Sequence, residues 1–107
     1  QEAKKQNKLL LLEFWANHCS ICKAIDHKIF RNETFIKQLQ DMIVFYKIDC
    51  TYNNDEIAHI KDIYQVYAQP AILLVDPKNN NKVIKRWSSE PYSMNIQSFI
   101  KEIQEAI

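Results

Sequence analysis

Apolar residues fall into runs of two kinds along the 107 residues, and the kind of run predicts the element. Leu9 to Phe14 is apolar at every position except Glu13, the pattern of a central strand covered on both faces. Met42 to Ile48 reads as a second buried strand, and Ala71 to Asp76, opened by Pro70, as a third. Between them the spacing turns helical. Ile21, Ile25 and Ile29 recur every fourth residue, so a helix should follow Cys19, run to about Lys28 and break near Phe30 to Asn32. Asn32 before Glu33 predicts a fresh N-cap for a short helix that buries Phe35, Ile36 and Leu39. Asn53 or Asn54 should cap another helix, acidic in its first turn at Asp55 and Glu56, with Ile57, Ile60, Tyr64 and Tyr67 on one face. Ile96, Phe99, Ile100 and Ile103 form the stripe of a closing helix, with Ser93 as its cap.

Connections follow from these elements. A helical crossover separates the first two strands, so they should be parallel. The turn Pro77 to Lys82 has hairpin length, so Val83 to Trp87 should return antiparallel to the third strand. Three consecutive asparagines stand in that turn, and in a chain without glycine they are the best candidates for left-handed backbone. Gln1 to Lys8 is polar and predicts a linker or one or two helical turns. The order is βαβαββα.

Composition narrows the function classes. With 107 residues and 47% hydrophobic content, residues 1–107 are expected to form one domain with its own core, as a monomer. Three cysteines are too few for a disulfide scaffold. A net charge of +1 with interspersed signs offers no basic patch for nucleic acid. Apolar runs stop at about five residues, far short of the roughly twenty that span a bilayer, and no signal-peptide pattern is present. The chain as given is expected to be soluble, although an upstream targeting or membrane segment is compatible with it.

Candidate chemistry concentrates between Glu13 and Lys23, where the first strand hands over to a helix. There the unpaired N–H groups and positive end of the helix favour a thiolate at Cys19. Cys22, one turn further in, lies close enough to close a small disulfide ring. The same spacing also reads as half a zinc site, completed by His18 and either Cys50 or His59, although the second pair of ligands lacks compact spacing. Cys50 is most simply a small buried hydrophobe. His27 and His59 have no partner pattern and read as solvated.

The segment Trp15-Ala16-x-x-Cys19-x-x-Cys22-Lys23, with an acid two positions before the tryptophan, resembles the active-site segment of the thioredoxin superfamily. The element order resembles that α/β fold too: a mixed central sheet, helices on both faces, the family's first strand absent. Asp49 to Asp55, the added length before Pro70, and Phe30 with Asn32 resemble one branch, the C-terminal periplasmic domains of the membrane protein DsbD. The resemblance implies a redox-active disulfide, Cys19 with Cys22, and no other cofactor and no metal.

Further roles rest on the same resemblance. Glu13 becomes a half-buried acid that takes the proton of Cys22, against the alternative of a strand-end carboxylate reaching water. It replaces the family's more usual Asp. Lys47 matches a lysine often found near that acid, and otherwise reads as a strand-end lysine reaching water. Asp26 falls where DsbD-type domains carry an acid, although acids are common early in helices. Trp15 and Ile21 would shape the surface beside Cys19. Pro70 matches the cis-proline whose preceding backbone pairs with an extended substrate. Two further positions depart from the pattern: His18 replaces an aromatic residue and, if protonated, would stabilise the Cys19 thiolate, while Gln69 replaces a small or β-branched residue before the proline.

The resemblance implies thiol–disulfide exchange with protein disulfide or dithiol partners and an electron donor embedded in a membrane, in a periplasmic or extracytoplasmic location. A reduction potential toward the reducing end is expected, nearer to roughly −270 mV than to about −120 mV. The alternatives are a free-standing thioredoxin in the cytoplasm, a cytochrome-maturation reductase, and a metal-binding or structural module of the same fold.

Overall fold

Strands β1 (Leu9–Trp15), β2 (Ile43–Asp49), β3 (Ala71–Asp76) and β4 (Lys82–Trp87) form one mixed sheet in the order β2-β1-β3-β4. The computed structural model describes residues 2–107, so the expectation for Gln1 lies outside the described residues. Parallel pairing of β1 with β2 and antiparallel pairing of β3 with β4 agree with the connections expected, and β1 pairs antiparallel with β3. Around the sheet lie α1 (Glu2–Lys5), α2 (Ser20–Ile25), a π-helical segment Asp26–Phe30, α3 (Glu33–Leu39), α4 (Asp55–Tyr64), α5 (Glu90–Ser93) and α6 (Ile96–Ala106). None of the described helices is long and apolar enough to cross a membrane.

Strand β1 is the centre because both its faces are apolar. Leu11 joins Ile72 and Leu74 under α2, α3 and α6, where Ile25, Ile29, Phe35 and Phe99 are fully buried. Phe35 and Phe99 stack with ring centroids 5.8 Å apart, tying α3 to α6. Leu10, Leu12 and Phe14 face the other way, with Leu73, Val75 and Val66, toward α1 and α4. This two-sided burial leaves Glu13 on the α2 side of an otherwise apolar strand.

The interruption expected after the first helix is present, and it has a definite form. The α-helix widens into the π segment after Ile25, and Arg31 N donates to Asp26 O at 3.0 Å, five residues apart. Asn32 then starts α3, its Oδ1 accepting from the backbone of Thr34 at 2.9 Å and Phe35 at 3.2 Å. Asn32→Ala should therefore cost about 1 kcal/mol of stability in urea titration, the usual loss for an N-cap.

Three expectations are corrected. Met42 to Ile48 is not a buried strand: β2 is an edge of the sheet among the described residues, so Tyr46 is 60% exposed and Lys47 reaches water. Tyr67 does not extend the face of α4, because Gln65 turns left-handed at φ 55° and ends the helix before it. Of the two caps expected for that helix, Asn53 or Asn54, it is Asn54 whose side chain accepts from Ile57 N. Ser93 closes α5, and Asn95 caps α6 by accepting from Gln97 N. Left-handed backbone in the β3–β4 turn falls on Asn80 and Asn81, two of the three asparagines expected there.

Candidate active site

Beyond Trp15 the chain is pinned before it reaches the cysteines. Cys50 N donates to Trp15 O at 2.7 Å, Asn17 N to Thr51 Oγ1 at 2.8 Å, and Cys19 N to Ala16 O at 3.1 Å. Cys19 is thereby held as the extended N-cap of α2, and its Sγ accepts from Cys22 N at 3.2 Å. The two cysteines form a disulfide with Cα atoms 5.3 Å apart. Cys19 is partly exposed, whereas Cys22 is 1% exposed. An outer sulfur at a helix start and an inner sulfur beneath it are unlike in chemistry: only the outer one is open to solvent, and on reduction only it gains the helix N–H groups.

Glu13 lies in the same place. It is 3% exposed, and neither carboxylate oxygen has a hydrogen-bond partner among the described residues. Burial pushes its carboxyl up to about 7; Lys47 opposes the rise and Asp26 adds to it. Lys47 is its cross-strand neighbour on β2. The Lys47 ammonium pairs with Asp26 and stands 5.9 Å from the centroid of the Trp15 ring. Asp26 also accepts from Arg31 Nε at 2.9 Å. A cleft of about 480 Å³ runs from Cys22 and Glu13 past Asp26, Lys47 and Arg31. A carboxyl that is buried, unpaired and half-ionised near neutral pH can accept and return a proton there.

The other residues singled out from the sequence divide by position. Trp15 is half-buried and lines the cleft, while Ile21 is 38% exposed beside the dithiol. The Gln69–Pro70 peptide is cis, and Ala71 pairs with Phe14, so Pro70 stands at the end of the sheet from which Trp15 runs on to Cys19. Gln69 is half-buried against Cys50, whose thiol burial pushes up and Lys61 and Gln69 pull back. His18 and His59 are exposed. Among the described residues no three His, Cys, Asp or Glu side chains gather as a metal would require, so His18, Cys50 and His59 are not assembled with the dithiol.

His27 is exposed, as expected, and also lines the cleft. One neighbour of the acid was not visible in the sequence. Arg31 was not singled out at all, because its link to Asp26 spans five residues and no α-helical spacing joins that pair.

A family model described as Thioredoxin matches residues 1–102. The thiol:disulfide interchange protein DsbD of Campylobacter jejuni strain RM1221 is 28% identical over 76 residues, 71% of this chain and 13% of that protein. The protein of the same name from Yersinia pestis strain Pestoides F is 26% identical over 102 residues, 95% of this chain and 16% of that protein. The chain thus spans less than a fifth of the length of these relatives. Among solved structures, the oxidised DsbD C-terminal domain of Neisseria meningitidis superposes with a TM-score of 0.79 at 17% identity, covering 99% of this chain and 87% of that one.

Proposed function

The chain belongs to the thioredoxin family, as a DsbD-like redox domain with a Cys19–Cys22 pair, and from that premise we propose that it is a protein thiol–disulfide oxidoreductase working as a reductant or electron relay. The observation that carries the reading is the unequal dithiol, an accessible Cys19 capping α2 above a buried Cys22 that shares its cleft with Glu13.

In the reduced domain the Cys19 thiolate attacks one sulfur of a partner disulfide. That S–S bond breaks, the other partner sulfur leaves as a thiolate, and a mixed disulfide joins Cys19 to the partner. Cys22 then gives its proton to Glu13 and attacks the Cys19 sulfur. The second partner thiolate leaves, two electrons have passed to the partner, and the Cys19–Cys22 disulfide remains. A dithiol donor must restore the reduced form. Following the DsbD-like branch, that donor is embedded in a membrane and the domain works on its periplasmic side. Trp15, Ile21 and the backbone beside Gln69 and Pro70 form the contact, which suits a short-lived encounter below about 1,200 Å².

Two measurements test this. Alkylation of the reduced protein at neutral pH, followed by peptide mass, should modify Cys19 at least about ten times faster than Cys22; equal rates would remove the asymmetry on which the mechanism depends. The oxidised domain should also accept electrons from a reconstituted membrane donor of the same source. Efficient reduction by a flavin-dependent thioredoxin reductase, with no transfer from the membrane donor, would make it a free-standing thioredoxin instead.

A further inference from the structure

Asp26 lies between two cations. One of its carboxylate oxygens pairs with Lys47, the other accepts from Arg31 Nε at 2.9 Å, and its side chain is only 15% exposed. Arg31 is held from two sides, since its backbone N–H also donates to Asp26 O at 3.0 Å. The π segment is what makes this possible. On a regular α-helix, residues five apart are rotated by about 140° and their side chains diverge, whereas the wider turn brings them back toward one face.

We propose that Arg31 is a positioning residue of the dithiol site: by clamping Asp26 from outside, it leaves the Lys47 ammonium available to neutralise Glu13 when that buried acid gives up its proton. The inference rests on the proton-transfer role given to Glu13 above. The charged and titratable groups around Glu13 are Lys47 from β2, Cys22 and Lys23 from α2, Asp26 and His27 from the π segment, and Arg31 beyond it. Ile72, its neighbour on β3, carries no charge. With Glu13 and Asp26 both ionised, one lysine would have to serve two carboxylates. Arg31 supplies the second positive charge, and it does so at the oxygen Lys47 does not use. Its side chain is 71% exposed, so the effect is moderated by water and screened by salt.

The test is carboxyl NMR titration of the oxidised 107-residue chain labelled with ¹³C-glutamate, the Glu13 signal being assigned by its loss in Glu13→Gln. Arg31→Met should raise the Glu13 midpoint by about half a pH unit at low ionic strength. Arg31→Lys, which keeps charge without the guanidinium fork, should shift it less. In an Asp26→Asn background Arg31→Met should leave the midpoint where Asp26→Asn alone puts it. An unchanged midpoint in Arg31→Met, or the same rise with and without Asp26, would overturn the clamp. The titration needs no turnover, so a chain that fails to exchange disulfides while showing these shifts would count against the proposed function and leave the clamp intact.

Discussion

Cys22→Ser should convert the domain from a catalyst into a trap. Cys19 still attacks a partner disulfide, but the serine that replaces Cys22 has no thiol to resolve the product, and the mixed disulfide accumulates as a species stable to non-reducing electrophoresis. Cys19→Ser should form no such adduct, because the remaining Cys22 is 1% exposed and has no access to a partner. Turnover should fall by at least about three orders of magnitude in both variants, since each removes one of two sulfurs that act as a unit. Cys50 is the internal control. It is 7% exposed and its thiol is pushed up by burial, so Cys50→Ala should leave adduct formation through Cys19 intact. Adducts through Cys22 in the Cys19→Ser protein would mean that the roles of outer and inner sulfur are not those assigned.

The dithiol was legible in the sequence because its chemistry depends on a local arrangement. A strand end, a four-residue turn and a helix start are written in consecutive residues, and Trp15, Cys19, Cys22 and Lys23 carry them. Glu13 was legible for a related reason, as the single charge in an apolar strand. Legibility fell where the answer lay in a pairing of distant segments. Met42 to Ile48 has the composition of a covered strand, and only the sheet order reveals that one edge is open and Tyr46 exposed. Ser93 and Asn95 are both capable caps two residues apart, and the short α5 decides between them by using the first as its own end. Gln65 was missed because glutamine carries no signal for left-handed backbone, unlike the asparagines at 80 and 81. Arg31 was missed because the π segment shifts the helical register by one residue, which composition does not encode.

Glu13→Gln should separate proton transfer from attack, and it should leave a second mark in stability. At neutral pH resolution of the mixed disulfide should slow by about 10² or more, the usual contribution of a placed base, while the first attack by Cys19 changes little. Equal slowing of both steps, or no slowing, would make Glu13 structural. The stability effect follows from burial. The carboxyl titrates near 4.5 when unperturbed and at about 7 in the folded chain, so between those pH values the native state keeps a proton that the unfolded chain has released. Native stability is therefore undiminished below about pH 4.5, falls as pH rises through the window, and has lost about 3 kcal/mol above pH 7. Glutamine has no such titration. Whatever Glu13→Gln costs or gains in packing, its stability relative to the parent chain should rise by about 3 kcal/mol between pH 4 and pH 8, measured by urea titration at each pH. Lys47→Met removes the charge that opposes the rise, so it should carry the Glu13 midpoint further upward and extend the loss of stability to higher pH. A parent chain and a Glu13→Gln variant with parallel stability profiles would place the carboxyl in contact with water, and the proton of Cys22 would then need another acceptor.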